Sequence, residues 1–96
     1  MTNSNAIHVL LAEDDVALQS VMSAVFEDAG FTFTTAKDGQ EAWEYFQSSH
    51  NSKHAAFDVI VSDINMPKMD GHELIAKIRE VDNEIPVIFV TAYSSV

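Results

Sequence analysis

Short apolar runs alternate along the chain with stretches of helical periodicity. Residues 7–12, 57–62 and 85–90 are nearly continuous apolar runs. Runs of this length are typical of strands that are buried on both faces of a sheet. Residues 31–36 combine aromatic and β-branched side chains with a period of two, which predicts a further strand. The pattern therefore predicts four strands.

The stretches between these strands have the spacing of amphipathic helices. The positions predicted to face the core are Leu18, Val21, Met22, Val25 and Phe26 in the first helix, Ala42, Trp43 and Phe46 in the second, and Leu74, Ile75 and Ile78 in the third. Gly30 is placed to end the first helix, and Asp38 is placed to cap the second. Residues 48–54 are polar and aperiodic, which indicates a loop or a loose helix end.

Strands that alternate with helices predict an α/β fold with a doubly wound parallel sheet and right-handed crossovers. The order is β-α-β-α-β-α-β, and the 96 residues suit one small domain. We see no internal repeat and no domain boundary. We therefore expect a single domain over residues 1–96, with residues 1–6 as a disordered tail.

The charge balance is strongly acidic, with five Lys and Arg against fifteen Asp and Glu and a formal net charge of -10. Such a surface repels phosphate backbones, so we expect no nucleic-acid binding by this segment. The absence of cysteine excludes disulfides and thiolate metal sites. No signal peptide and no apolar run of membrane-spanning length is evident, so a cytoplasmic location is the expectation. Most of the acids need do no more than maintain solubility.

The acids that follow strands are the exception. The first predicted strand is followed by Glu13 and Asp14, the third by Asp63, and the fourth by Thr91. In open parallel sheets, ligands bind beyond the carboxyl ends of the strands, so these side chains should converge. Clustered carboxylates repel one another unless a cation neutralises them, and oxygen-only ligands favour a hard ion such as Mg²⁺. A metal beside a further carboxylate suggests phosphoryl chemistry with an aspartate as nucleophile.

Four sequence blocks resemble the receiver domains of two-component response regulators and hybrid sensor kinases. They cover residues 9–15, 36–42, 58–71 and 85–92, and residues 63–71 have the specific form D-x-x-M-P-x-M-D-G. The resemblance implies a flavodoxin-like sheet in the strand order 2-1-3-4. It also implies a phosphorelay module that receives a phosphoryl group from a histidine kinase or histidine phosphotransfer domain and switches a partner or output domain.

The resemblance also implies a role for each site residue. Asp63 would accept the phosphoryl group and ligate the metal, and Glu13 and Asp14 would form the acidic metal-binding pair. Asn65 would give its backbone carbonyl to the metal, and Thr91 would be the switch hydroxyl.

The same resemblance implies roles for two further residues, Tyr93 and Asp15, and a second role for Asn65. Asn65 and Tyr93 match positions that tune the dephosphorylation rate. Asp15 is expected to serve the N-terminus of the following helix, where a carboxylate is favoured.

The chain departs from the family pattern after its fourth strand. The family has a fifth strand with a phosphate-binding Lys, whereas the basic residues here all come earlier: Lys37, Lys53, Lys68, Lys77 and Arg79. The family's aromatic switch residue on that strand is missing too. We therefore expect a receiver that is truncated before the fifth strand and is phosphorylated slowly or undetectably alone. The apolar edge at residues 87–90 predicts self-association.

Two other functions stay open at this point. One is a Mg²⁺-dependent phosphatase or phosphotransferase with an aspartyl nucleophile, although such enzymes usually have an acid where Asn65 stands. The other is a receiver-like interaction domain that is not phosphorylated. His50 and His54 are four residues apart, but no third metal ligand is evident nearby. His72 is expected at the surface near the start of the third helix, and Met66 and Met69 are expected to pack the loop beside the site.

Overall fold

The computed structural model describes residues 6–50 and 57–90. Its elements are β1 (His8–Ala12), α1 (Val16–Asp28), β2 (Thr32–Ala36), α2 (Gly39–His50), β3 (Val59–Ser62), α3 (Gly71–Val81) and β4 (Val87–Phe89). The predicted order of elements is confirmed. Each strand begins slightly later than its apolar run, because residues such as Phe57 and Ile85 are buried without joining the strand ladder.

The four strands form one parallel sheet in the order β2-β1-β3-β4, as predicted. Ala12 at the end of β1 lies opposite Ala36 of β2 and Ser62 of β3, and Ser62 lies opposite Phe89 of β4. This register aligns the carboxyl ends of all four strands. Every residue that directly follows β1 or β3 is therefore placed at one edge of the sheet.

The main core lies on the sheet face that α2 and α3 cover. Strand side chains such as Leu10 and Ile60 pack there against helical residues that were predicted to face inward. Of these, Ala42, Phe46, Leu74 and Ile78 are buried, while Trp43 and Ile75 are partly buried against the same cluster. The amphipathic pattern of α2 and α3 therefore identified the buried positions correctly.

The opposite face is covered less completely. Val9, Leu11 and Val61 form its buried cluster, against which Met22 and Phe26 of α1 pack. The expectation that the whole apolar stripe of α1 faces the core is wrong, since two of its members are exposed and no residue of α1 is fully buried. Those two are Val21 and Val25, at 59% and 60% exposure. Periodicity marks the apolar face of a helix, but the area that its neighbours cover decides how much is buried.

The ends of α1 and α2 follow the predicted signals. Gly30 ends α1 with a φ of 89°, and the amide of Phe31 donates to the carbonyl of Phe26 at 3.0 Å, as in a Schellman motif. Asp38 caps α2, because its Oδ1 accepts a hydrogen bond of 2.8 Å from the amide of Glu41. None of the described helices combines the length and apolar character needed to span a bilayer.

The N-terminus of α3 is held by a capping box. The Oδ1 of Asp70 accepts from the amide of Glu73 at 2.8 Å, and the Glu73 carboxylate accepts from the amide of Asp70 at 2.9 Å. Because Asp70→Ala removes the acceptor of the Glu73 amide and keeps only the bond from the backbone amide of residue 70 to Glu73, we expect this change to lower the free energy of unfolding by about 1 kcal/mol in urea denaturation. Glu80→Ala, at an exposed position of the same helix, is the control and should change it by less than about 0.5 kcal/mol. Equal losses in the two variants would contradict the capping argument.

Candidate functional site

Three carboxylates meet at the carboxyl edge of the sheet. Glu13, Asp14 and Asp63 each offer one oxygen, and these oxygens all lie within 4.8 Å of one another. They meet because β1 and β3 are neighbours, and the amide of Asp63 donates to the carbonyl of Ala12 at 2.9 Å. The convergence predicted for the residues that follow β1 and β3 is therefore confirmed, while Thr91, which was predicted to join them, lies outside the described residues.

Glu13 is the most buried member of this acidic cluster, with 1% of its surface exposed. Its Oε2 accepts from the amide of Asp15 at 2.9 Å, whereas its Oε1 is buried and has no hydrogen-bond partner in the described part of the chain. Burial raises the pKa of the Glu13 carboxyl, and the nearby charges of Asp63, Asp14 and Asp15 raise it further, while the Asp15 amide opposes the shift. The site therefore holds a carboxylate whose charge needs a partner.

Asp63 is held by its own strand end and by the start of α3. Its Oδ1 accepts from the amide of Ile64 at 2.7 Å, and its carbonyl accepts from the buried hydroxyl of Ser62 at 2.7 Å. A Cβ on Gly71 would lie 2.4 Å from the same carbonyl, so only glycine allows this close approach. No residue in the two described segments donates to Oδ2 of Asp63, which leaves that oxygen available to a ligand.

Asp14 and Asp15 differ in what their side chains do. Asp14 is exposed and belongs to the acidic cluster. Asp15 is the N-cap of α1, because its Oδ1 accepts from the amide of Leu18 at 3.1 Å. The expectation that Asp15 serves the helix N-terminus is confirmed.

The loop that leads from β3 to α3 contains a tight turn at Lys68. Lys68 has a φ of 70°, and the amide of Met69 donates to the carbonyl of Pro67 at 2.7 Å, which is a γ-turn of the rare positive-φ kind. Met69 is buried in the main core, and Met66 packs against that core, so both fit the packing role that was expected. Asn65 is exposed in this loop.

Sequence reasoning missed two contacts around the site. The Nζ of Lys68 lies 3.9 Å from Oδ2 of the buried Asp38, so this cap also faces the loop after β3. The side-chain amide of Gln19 donates to the carbonyl of Glu13 at 3.0 Å. The sequence gives no signal for either contact, because the spacing of the paired residues along the chain does not match the repeat of a helix or a strand.

Only some of the remaining predicted residues lie in the part of the chain that the structure describes. Thr91, Tyr93 and His54 lie outside the described residues, as does the side chain of His50. His72 is exposed at the start of α3, as expected, with its ring centroid 5.3 Å from that of Phe89.

The acidic cluster suits a hard divalent cation. Its donors are all oxygens, and the unpartnered Oε1 of Glu13 is a buried acceptor that a cation would satisfy. Glu13, Asp14 and Asp63 are the side chains that would hold such an ion. The cation would also offset the mutual repulsion that raises the pKa of Glu13.

Comparison with known proteins points to one family. The model of the response regulator receiver domain matches residues 9–96. The hybrid signal transduction histidine kinase I of Dictyostelium discoideum is 40% identical over 90 residues, which are 90% of this chain and 5% of that protein. The chain spans well under two thirds of the length of the curated relatives compared first, at 5%, 39% and 18%.

Solved structures agree with this relationship. The chemotaxis protein CheY4 of Vibrio cholerae superposes with a TM-score of 0.80 at 34% identity, covering 94% of this chain and 72% of that one. The response regulator TrrA of Thermotoga maritima, solved in complex with Mg²⁺-BeF, has a TM-score of 0.80 at 27% identity, covering 92% and 71% of the two chains. TrrA has also been solved in complex with the histidine kinase ThkA, and that structure matches with a TM-score of 0.77 at 26% identity, covering 93% and 72%.

Proposed function

The chain belongs to the response regulator receiver domain family, and from this premise we propose that Asp63 is its phosphoacceptor and Mg²⁺ its metal. Receiver domains are the signalling modules of two-component systems. The observation that carries the proposal is the meeting of Glu13, Asp14 and Asp63 around a buried, unpartnered carboxylate oxygen. Such a site is costly to the fold without a cation, so its presence favours a role that uses one.

The side chains present can divide the chemistry among themselves. The Asp63 carboxylate would form a new O–P bond while the P–N bond of a donor phosphohistidine breaks, and the freed imidazole nitrogen would take up a proton. Bound Mg²⁺ supplies positive charge that neutralises the phosphoryl oxygens. Glu13 and Asp14 would hold the ion with Asp63, and the Asn65 carbonyl would complete the protein ligands.

Two roles at the rim of the site complete the proposal. The Thr91 hydroxyl would donate to a phosphoryl oxygen and so report phosphorylation to the surface. Tyr93 and Asn65 would tune how long the acyl phosphate survives.

The partners that we propose follow from the same chemistry. A histidine kinase or histidine phosphotransfer domain would be the donor, which is supported by the complex of TrrA with ThkA. An output domain or effector would read the phosphorylated state in the cytoplasm, and the net charge of -10 argues against nucleic acid as a direct ligand. Self-association through β4 stays a prediction. It is supported by the position of β4 at one end of the sheet in the described segments and by Ile88, which is 53% exposed.

The phosphoacceptor can be tested by intact-mass measurement after incubation with acetyl phosphate and Mg²⁺. We expect a gain of one phosphoryl group in the wild type and none in Asp63→Asn, which keeps the size of the side chain but loses the nucleophile. Asp58→Asn, at an exposed aspartate before β3, is the control and should be modified like the wild type.

Other outcomes would favour the two other functions. Sustained release of phosphate without a stable adduct would indicate a phosphatase or phosphotransferase. A folded wild type that binds Mg²⁺ but never gains mass would indicate an interaction domain. An adduct that persists in Asp63→Asn would place the phosphoacceptor elsewhere.

A further inference from the structure

The turn between β1 and α1 is tied down by a side chain that lies outside the acidic cluster. Gln19, in the first turns of α1, donates from Nε2 to the backbone carbonyl of Glu13 at 3.0 Å. No other group in the described segments donates to this carbonyl. Gln19 is half-buried, so its amide is partly shielded from competing water.

With this contact, the backbone amide, the carbonyl and the carboxylate of Glu13 each take part in a hydrogen bond. The Glu13 amide donates to the carbonyl of Ala36, and the Glu13 carboxylate accepts from the amide of Asp15. The side-chain amide of Gln19 donates to the Glu13 carbonyl, and the backbone amide of Gln19 donates to the carbonyl of Asp15 at 2.9 Å. The amide, the carbonyl and one carboxylate oxygen of Glu13 are therefore all fixed, and Oε1 alone remains unpartnered.

We propose that Gln19 is a positioning residue for the cation: by holding the Glu13 carbonyl, it fixes the direction in which the Glu13 carboxylate meets the ion. This role rests on the metal site of the proposed function. Groups that orient a ligand commonly change metal affinity by 10- to 100-fold when they are removed. Gln19 is not itself proposed as a ligand of the ion or of the phosphoryl group.

The effect of losing Gln19 should fall on the ion and only weakly on the fold. The N-cap of α1 is made by Asp15, which the substitution leaves in place. Water can take over the hydrogen bond to the Glu13 carbonyl at a half-buried position, so the ion-free protein loses little stability. Water does not restrain the turn, so the geometry offered to the ion becomes less defined.

The experiment is a calorimetric titration of the whole chain with Mg²⁺ alone, without a phosphodonor. Gln19→Met keeps the length of the side chain and removes its donor, and we expect its Mg²⁺ affinity to fall about tenfold. Gln40→Met is the matched control, since Gln40 donates from Nε2 to Glu44 at 3.1 Å on the exposed face of α2. Its Mg²⁺ affinity should equal that of the wild type.

A second readout separates positioning from general damage. Without divalent ions, the midpoint of thermal unfolding of Gln19→Met should match that of Gln40→Met. At the same Mg²⁺ concentration, the rise in midpoint should be larger for the wild type than for Gln19→Met. Gln19→Ala, which keeps a strong helix former at this position, serves as the second variant if Gln19→Met folds poorly. It should show the same loss of affinity.

Three results would overturn the inference. Mg²⁺ affinity within about twofold of the wild type in both Gln19 variants would show that the carbonyl tie does not matter to the ion. A loss of affinity accompanied by an equal loss of ion-free stability would show a structural role only. A wild type that binds no Mg²⁺ would overturn the metal site itself, and this differs from the other two results because the wild-type titration alone reveals it.

Discussion

Gly39→Ala is expected to lower the free energy of unfolding by about 3 kcal/mol. A Cβ at Gly39 would lie 2.0 Å from the carbonyl oxygen of Met69 and 2.8 Å from its carbonyl carbon. Both are backbone atoms, so no flexible side chain can move aside, and either α2 or the loop after β3 must shift. The loop is poorly able to shift, because Met69 is buried in the main core.

Urea denaturation measures this loss, and Gly30→Ala is its control. Gly30 has a φ of 89° and nothing within 4 Å of a Cβ, so alanine there suffers only the backbone penalty of about 1 kcal/mol. The difference between the two variants then isolates the close approach of α2 to Met69. If the two losses were equal, the contact between Gly39 and Met69 would not be what requires glycine.

The same contact has a consequence for the site. The loop that packs on Gly39 also carries Asn65, whose carbonyl is proposed to face the ion. In Gly39→Ala, Mg²⁺ affinity should therefore fall together with stability, in contrast to Gln19→Met, where affinity falls nearly alone. The two variants thus separate damage to the loop from loss of orientation at Glu13.

The fold was predictable because its strongest signals are local. Three apolar runs, one stretch with a period of two and three amphipathic stretches predict an alternating α/β chain, and a parallel sheet then brings the residues after β1 and β3 to one edge. That reasoning predicts that Glu13, Asp14 and Asp63 lie together. The prediction of the site requires only the positions of the strand ends, and these are marked by the change from apolar to acidic residues.

Three features that the sequence did not predict depend on how the helices, strands and loops pack against one another. Val21 and Val25 are exposed because neighbouring elements cover only part of the apolar face of α1. The periodicity of the sequence does not show how much of that face is covered. Lys68 has a positive φ and lies next to the buried Met69, and Lys is not a residue that favours this conformation, so its type gives no signal for the turn. The bond from Gln19 to Glu13 likewise requires the angle at which α1 leaves β1.

Burial of Glu13 determines the sign of a pH effect in the ion-free protein. Folding raises the pKa of this carboxyl above its ordinary value of 4.5, so the folded state holds the proton more tightly than the unfolded state. The corresponding stability is fully present below pH 4.5 and is lost as the pH rises through the folded pKa. In the ion-free protein, ionisation of the buried Glu13 carboxyl therefore lowers the free energy of unfolding.

Glu13→Gln is accordingly expected to have opposite effects with and without the ion. Without divalent ions at neutral pH, the amide removes a buried charge and its repulsion with Asp14 and Asp63, so the free energy of unfolding should rise by about 1 kcal/mol. With Mg²⁺, the variant lacks a direct ligand, and its affinity should fall by at least about a hundredfold, since even outer partners cost 10- to 100-fold. The stabilisation by Mg²⁺ that mass action gives the wild type should then nearly vanish.

Urea denaturation of wild type and Glu13→Gln, each with and without saturating Mg²⁺, makes this reversal visible. Glu80→Gln at an exposed position of α3 removes the same charge far from the acidic cluster, so it should retain the Mg²⁺ response of the wild type. Asp14→Asn separates the two effects, because Asp14 belongs to the cluster but is exposed. It should lose Mg²⁺ affinity with little gain in ion-free stability. If Glu13→Gln were less stable than the wild type without ions, the buried carboxylate would be serving the fold, and the case for a cation at this edge would lose its physical basis.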